Sequence, residues 1–115
     1  MANTFKVITK ANVTSADVIY TVAGSTTTVI LGLVLGNTTT SQVTATVSLA
    51  SDTGSRAGAN NEANQTVELV TNAPIPAGSS LEMLAGNKVV METTDALSLT
   101  SSAAADIILS VMEIT

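Results

Sequence analysis

Asp52-Thr53-Gly54 is the triplet in this chain with the strongest chemical association. Retroviral-type aspartic proteases are small all-β homodimers in which two such aspartates, one per chain, share a proton. A length of 115 residues suits that plan. The surroundings do not. Those enzymes bury the triplet behind an apolar strand, whereas Ala50-Ser51-Asp52-Thr53-Gly54-Ser55-Arg56 opens a polar, glycine-rich stretch. An Asp-x-Gly turn explains it with fewer assumptions. A protease using Asp52 is retained only as the enzymatic alternative.

The remaining chemistry-bearing residues are dispersed. Glu62, Glu68, Glu82, Glu92, Asp95, Asp106 and Glu113 do not cluster as a calcium loop would. Glu82 and Glu92 would approach each other across a hairpin, but a solvated strand face accounts for them. Gly54-Ser55-Arg56-Ala57-Gly58 lacks the lysine and following helix of a phosphate-binding loop. Nineteen threonines and twelve serines supply hydroxyls, yet there is no histidine to serve as their base. Nothing in the spacing pairs a serine with Lys10 or Lys88. The lack of cysteine excludes a disulfide framework and thiolate metal sites. Phe5 and Tyr20 are the only aromatics, so stacking platforms for bases or sugars are absent. No catalytic residue, cofactor or metal is expected.

Net charge is −5, and Lys6, Lys10, Arg56 and Lys88 form no basic cluster. Nucleic acid and anionic membranes are therefore poor partners. The longest apolar run, residues 29–35, is far below the ~20 residues a membrane helix needs. The start, Met1-Ala2-Asn3-Thr4-Phe5-Lys6, has no signal-peptide pattern, so synthesis in a cytoplasm is expected. Asn12, Asn37 and Asn64 head Asn-x-Thr sequons, read as accidents of a threonine-rich chain.

The elements that must carry these residues read as strands, because β-branched Thr, Val and Ile fit a pleated, half-buried surface. In Gln42-Val43-Thr44-Ala45-Thr46-Val47-Ser48-Leu49 the alternation sends Val43, Ala45, Val47 and Leu49 to a dry face. Residues 17–22 repeat the pattern with Val18, Tyr20 and Val22 inward, and residues 66–71 do so through Val67 and Leu69. Residues 28–35 are apolar on both faces, with Val29, Leu31, Leu33 and Leu35 on one side and Ile30 and Val34 flanking Gly32 on the other. Such a strand belongs in mid-sheet or beneath another chain, and Gly32 suggests a bulge or a close backbone approach.

Residues 72–78 hold Pro74 and Pro76 and read as a crossing loop. Residues 81–84 and 88–92 flank a hairpin turn at Ala85-Gly86-Asn87, and Thr93-Thr94-Asp95 turns the chain into residues 96–100. Residues 105–114 form a last strand, with Ile107, Leu109 and Val111 opposite Ile108, Met112 and Ile114; a helical stripe through Ile107, Ile108, Val111 and Met112 is the alternative. Residues 52–64 are a loop. About eight or nine short strands in a single domain spanning 1–115 predict an all-β, compact antiparallel sandwich or barrel, jelly-roll-like or immunoglobulin-like. Its core is thin and aliphatic. Residues 1–10 are either the first strand or an extended arm that orders on docking, with Phe5, Val7 and Ile8 as assembly contacts.

Pro74-Ile75-Pro76-Ala77-Gly78-Ser79-Ser80-Leu81, Asn87-Lys88-Val89-Val90-Met91-Glu92-Thr93-Thr94-Asp95-Ala96-Leu97 and Ile107-Ile108-Leu109-Ser110-Val111-Met112-Glu113-Ile114-Thr115 follow a pattern. A proline-bracketed loop, a valine-rich strand, an acidic turn and a last strand succeed one another. With Thr27-Thr28-Val29-Ile30-Leu31-Gly32-Leu33-Val34-Leu35-Gly36-Asn37-Thr38-Thr39, the chain resembles the small virion structural proteins of tailed phages, marine and cyanobacterial ones especially. The resemblance implies a non-enzymatic virion protein. Its place would be the outer head surface, as a decoration or cement protein on the major capsid protein, commonly a homotrimer, or else the tail, an adaptor or a fibre.

Overall fold

The computed structural model describes residues 2–52, 65–83 and 88–115. These residues form nine strands: β1 (Asn3–Val13), β2 (Ala16–Thr21), β3 (Thr27–Asn37), β4 (Val43–Ala50), β5 (Thr66–Ile75), β6 (Ser80–Met83), β7 (Val89–Met91), β8 (Ala96–Ser101) and β9 (Ala105–Ile114). One sheet has the order β1-β9-β3-β6, with β7 also on β3; the other is β2-β8-β4-β5. All pairs are antiparallel. The expected all-β sandwich is what the chain forms, and residues 105–114 are strand.

The pairing shows how the sandwich is wound. β1 pairs β9, β2 pairs β8, β3 pairs β6 and β7, and β4 pairs β5. The chain is thus one long hairpin with its tip between β4 and β5. Rolling that hairpin brings β3 against β9 and β4 against β8. This is the jelly-roll path rather than the immunoglobulin one. β1 is an edge strand of the five-stranded sheet, and Val13 is its one buried residue. Residues 3–10 lie in this first strand.

The interior is aliphatic. Ile30, Leu33 and Leu35 of β3, Val43, Ala45 and Val47 of β4, Leu97 and Leu99 of β8 and Ile107, Leu109 and Val111 of β9 are all buried. Tyr20 and Leu49 pack against them from the margin. Phe5, the chain's one phenylalanine, is 71% exposed.

Bulges correct several of the alternation readings. In β2 the register shifts between Val18 and Tyr20, so Ile19 is buried and Val18 lies 54% exposed. In β3 the shift falls between Ile30 and Gly32. An extra residue in one strand turns the alternation over. Ile30 before the bulge and Leu33 and Leu35 after it consequently all point inward, while Val29, Leu31 and Val34 do not. Gly32 marks the bulge; its surroundings are open, so no close approach explains it. Val67, expected on a dry face, is 57% exposed near the start of β5.

Two connections also differ from the sequence reading. Pro74 and Ile75 belong to β5, with Pro74 opposite Thr44. An edge strand tolerates a proline because one side of its ladder faces no partner, and β5 is at an edge. The turn comes one step later, where the Ser79 N–H donates to the Pro76 carbonyl at 3.1 Å and Gly78 adopts φ 70°. β6 and β7 do not pair as a hairpin. Both run along β3, β6 opposite Leu33–Gly36 and β7 opposite Thr28–Ile30, as one interrupted edge. Glu82 and Glu92 are accordingly not brought face to face. Ala85-Gly86-Asn87 and residues 53–64 lie outside the described residues.

Candidate assembly surface

Each sheet has one face in the core and one outside it, and the two outer faces differ. On the four-stranded sheet, Thr44, Thr46 and Ser48 of β4 alternate with buried Val43, Ala45 and Val47. Ser48 lies opposite Ser98, and Thr46 opposite Thr100. Some of these hydroxyls close gaps in the ladder. The Thr46 Oγ1 accepts the Asn72 N–H at 2.9 Å, where Asn72 sits at φ 48° beside the β5 irregularity. The Ser102 Oγ likewise accepts the Thr44 N–H at 2.9 Å. Val18 and Pro74 are apolar residues toward the two edges of this hydroxyl surface.

On the five-stranded sheet the outer face is largely aliphatic, with Thr9 beside Ile108 and Ser110 beside Val7. Register places Phe5 beside Met112 and Val29, and Met112 of β9 links them. Val90 continues the row across β7. A second row runs through Ile108 and Val34, with Val7 between the rows opposite Ser110. Val7 is 65% exposed, Val90 60% and Ile108 49%. Charges stand at the margin: Glu82 opposite Val34, and Asp106, whose Oδ1 accepts the Asn12 N–H at 2.9 Å.

The three expected contact residues therefore divide. Phe5 and Val7 belong to the aliphatic outer face, while Ile8 turns to the other side and packs against the core. Lys6, on Ile8's side, reaches a polar bridge between the sheets. Its Nζ pairs with the Glu113 Oε1 at 2.7 Å. The Tyr20 hydroxyl donates to the Glu113 Oε2 at 2.5 Å and lies 2.8 Å from the Thr28 Oγ1. The hydrogen bond from Lys6, then that from Tyr20, holds the Glu113 carboxyl below its ordinary range. Burial, then the bond to Glu113, pushes the Tyr20 hydroxyl up to about 12. This group ties β2 of one sheet to β1, β3 and β9 of the other.

Asp52 has a structural place. It is exposed beyond the end of β4; its N–H donates to the Asp95 Oδ1 at 3.1 Å, and its carboxylate accepts the Thr94 hydroxyl at 2.5 Å. Thr53 and Gly54 lie outside the described residues. Asp95, buried in the turn before β8, also accepts the Glu92 N–H at 2.9 Å. Its carboxylate thus fastens that turn to the end of β4, a role the turn reading of Thr93-Thr94-Asp95 missed. Asn37 was missed as well. It is buried, donating to the Ser41 and Ile75 carbonyls at 2.7 and 2.8 Å and accepting from Thr39 N–H and Oγ1 at 2.8 Å each. That sequon is committed to the fold. Among the described residues there is no pocket and no group of three metal-ligating side chains.

No known family pattern matches the chain, and no curated protein matches it in sequence. Solved structures do match in shape. A chain of the T13 infectious bursal disease virus particle superposes with a TM-score of 0.52 at 10% identity, over 96% of this chain and 34% of that one. The Gx strain of the same virus gives 0.51 at 11% identity, over 98% and 37%. A subunit of Bacillus endospore appendages, described as disulfide-linked pili, gives 0.48 at 15% identity, over 99% and 87%. The chain spans about a third of the length of the viral chains. At these identities the viral likeness establishes the sandwich fold and nothing finer.

Proposed function

We propose that the chain is a structural component of a virion, most concretely a decoration or cement protein on the outer head of a tailed phage. The observation that carries this reading is a jelly roll with an outward-facing aliphatic sheet, on which the chain's one phenylalanine is spent at the surface. Buried aromatic and aliphatic anchors dominate interface energies, and an exposed apolar face of this kind marks a contact surface. Phe5 and Val7 are assembly contacts in this reading, and Ile8 supports them from behind. The resemblance to small phage virion proteins supplies the particle, the major capsid protein as partner and three copies as the assembled unit.

The mechanism is mechanical. Bound across joints between capsid subunits, the protein adds buried contact area that resists internal pressure, and many copies sum modest affinities. An acidic chain of net charge −5 is suited to the outside of a shell rather than to packaged DNA. Synthesis in the host cytoplasm precedes docking. Immunogold labelling of particles from an infection that expresses this chain tests the reading. Gold over the head is expected; gold on the tail moves the protein to the tail, adaptor or fibre alternative, and unlabelled particles overturn the virion role.

A further inference from the structure

The aliphatic outer face needs a cover, and we infer that another copy of this chain supplies it, sheet turned toward sheet. This names the partner of the surface to which Phe5 and Val7 belong; it rests on their being assembly contacts but not on a virion location.

Extent is the first argument. β1, β9 and β3 are strands of 11, 10 and 11 residues lying side by side, and β7 adds three more. At about 3.3 Å per residue and about 4.8 Å between strands, their outer face projects to roughly 550 Å². Side-chain relief raises the accessible area above that projection. A stable interface covers roughly 600–1,000 Å² on each partner, so whole-face contact is enough.

Complementarity is the second. The other outer face presents Thr44, Thr46, Ser48, Ser98 and Thr100, whose hydroxyls would lose water against Val29, Val34 or Ile108 without gaining partners. Among the described strands, the surface that matches the aliphatic face is the aliphatic face of a second copy. Charge agrees. Copies of net charge −5 repel, but contact centred on Met112, Val29 and Ile108 keeps carboxylates such as Glu82 at the rim, in water. Two copies across a two-fold axis or three around a three-fold axis both turn these faces inward.

Light scattering coupled to size-exclusion chromatography on the full chain tests this with two matched variants. Ile108→Lys places a charge in the aliphatic face; Thr100→Lys places one in the hydroxyl face. The wild type and Thr100→Lys are expected at two or three times 11.6 kDa, and Ile108→Lys at 11.6 kDa with an unchanged far-ultraviolet dichroism spectrum. If Ile108→Lys fails to fold, Val7→Lys on the edge strand β1 replaces it, with the same expected dissociation. A monomeric wild type, an Ile108→Lys or Val7→Lys variant that folds and keeps the wild-type mass, or dissociation by Thr100→Lys overturns the inference. Gold labelling on particles reads the virion role separately, so the two fail independently.

Discussion

β4 and β9 pass through the middle of the two sheets and solve the same problem in opposite ways. β4 alternates strictly, burying Val43, Ala45 and Val47 and presenting Thr44, Thr46 and Ser48. β9 buries Ile107, Leu109 and Val111 and presents Ile108, Met112 and Ile114. A sandwich that ends at water keeps its outer positions polar. β4 conforms to that rule, while β9 carries Asp106 and Ser110 but also Ile108, Met112 and Ile114 at its outer positions, the apolar ones being those that the inferred contact between copies would cover. The contrast also separates stability from assembly. Inward residues hold the fold, and outward residues on the five-stranded sheet are free to serve contact.

The largest effect should come from crossing that divide on a single strand. Leu109→Ala removes a fully buried side chain and should cost about 2–5 kcal/mol in denaturant unfolding. Ile108→Ala, one residue away and half exposed, should cost less than ~1 kcal/mol in the dissociated chain. Comparable losses at both positions would break the comparison. Making the aliphatic face resemble the hydroxyl one sharpens it from the other side. The triple variant Val29→Thr, Val34→Thr and Ile108→Thr should weaken self-association by at least about tenfold in sedimentation equilibrium.

The bridge joining the sheets should contribute less. Tyr20→Phe deletes the hydroxyl shared by Glu113 and Thr28 and should cost about 1–1.5 kcal/mol. Its pH signature has two sides. Glu113 is lowered, so its contribution is full above the ordinary carboxylate range and is lost as pH falls through the lowered value. Tyr20 is raised, so its contribution is full below about 10 and is lost as pH climbs toward about 12. Thermal melts across pH should show the alkaline loss shrink in Tyr20→Phe.

On the hydroxyl face, Thr46→Val keeps shape but strands the Asn72 N–H, a loss of about 1 kcal/mol by the same denaturant assay. Smallest of all is Lys10→Ala. Its 2.8 Å pair with Asp17 is exposed on both sides and should contribute no more than ~0.5 kcal/mol, less at high salt.

Much of the fold was legible because period-two alternation reports burial directly. Val43, Ala45 and Val47, and Ile107, Leu109 and Val111, are inward as their spacing requires. What defeated the reading was one-residue irregularity. Ile19 and Leu31 are inserted at bulges, and each insertion exchanges the faces of everything after it without a marker in composition. Long-range partnership was equally hidden. Nothing local tells that β6 and β7 share β3 as one broken edge, or that Asn37 finds the Ile75 carbonyl far along the chain. The doubly apolar character of residues 28–35 did point to a mid-sheet strand, and β3 lies between β9 and the edge formed by β6 and β7. Which of its side chains faced the core awaited the bulge at Leu31. Phe5, Val7 and Ile8 were grouped as contacts, a role that stands as the proposal for Phe5 and Val7; alternation along β1 leaves those two exposed and sends Ile8 the other way.

The cysteine-free sequence permits a direct test of the covered face. Ile108→Cys and Thr100→Cys, each the sole thiol in its chain, would be titrated with a maleimide over a range of protein concentrations. The thiol at position 108 should become increasingly protected as concentration rises, while that at position 100 reacts at one rate throughout. Equal, concentration-independent reactivity at both positions would contradict burial of the aliphatic face by another copy.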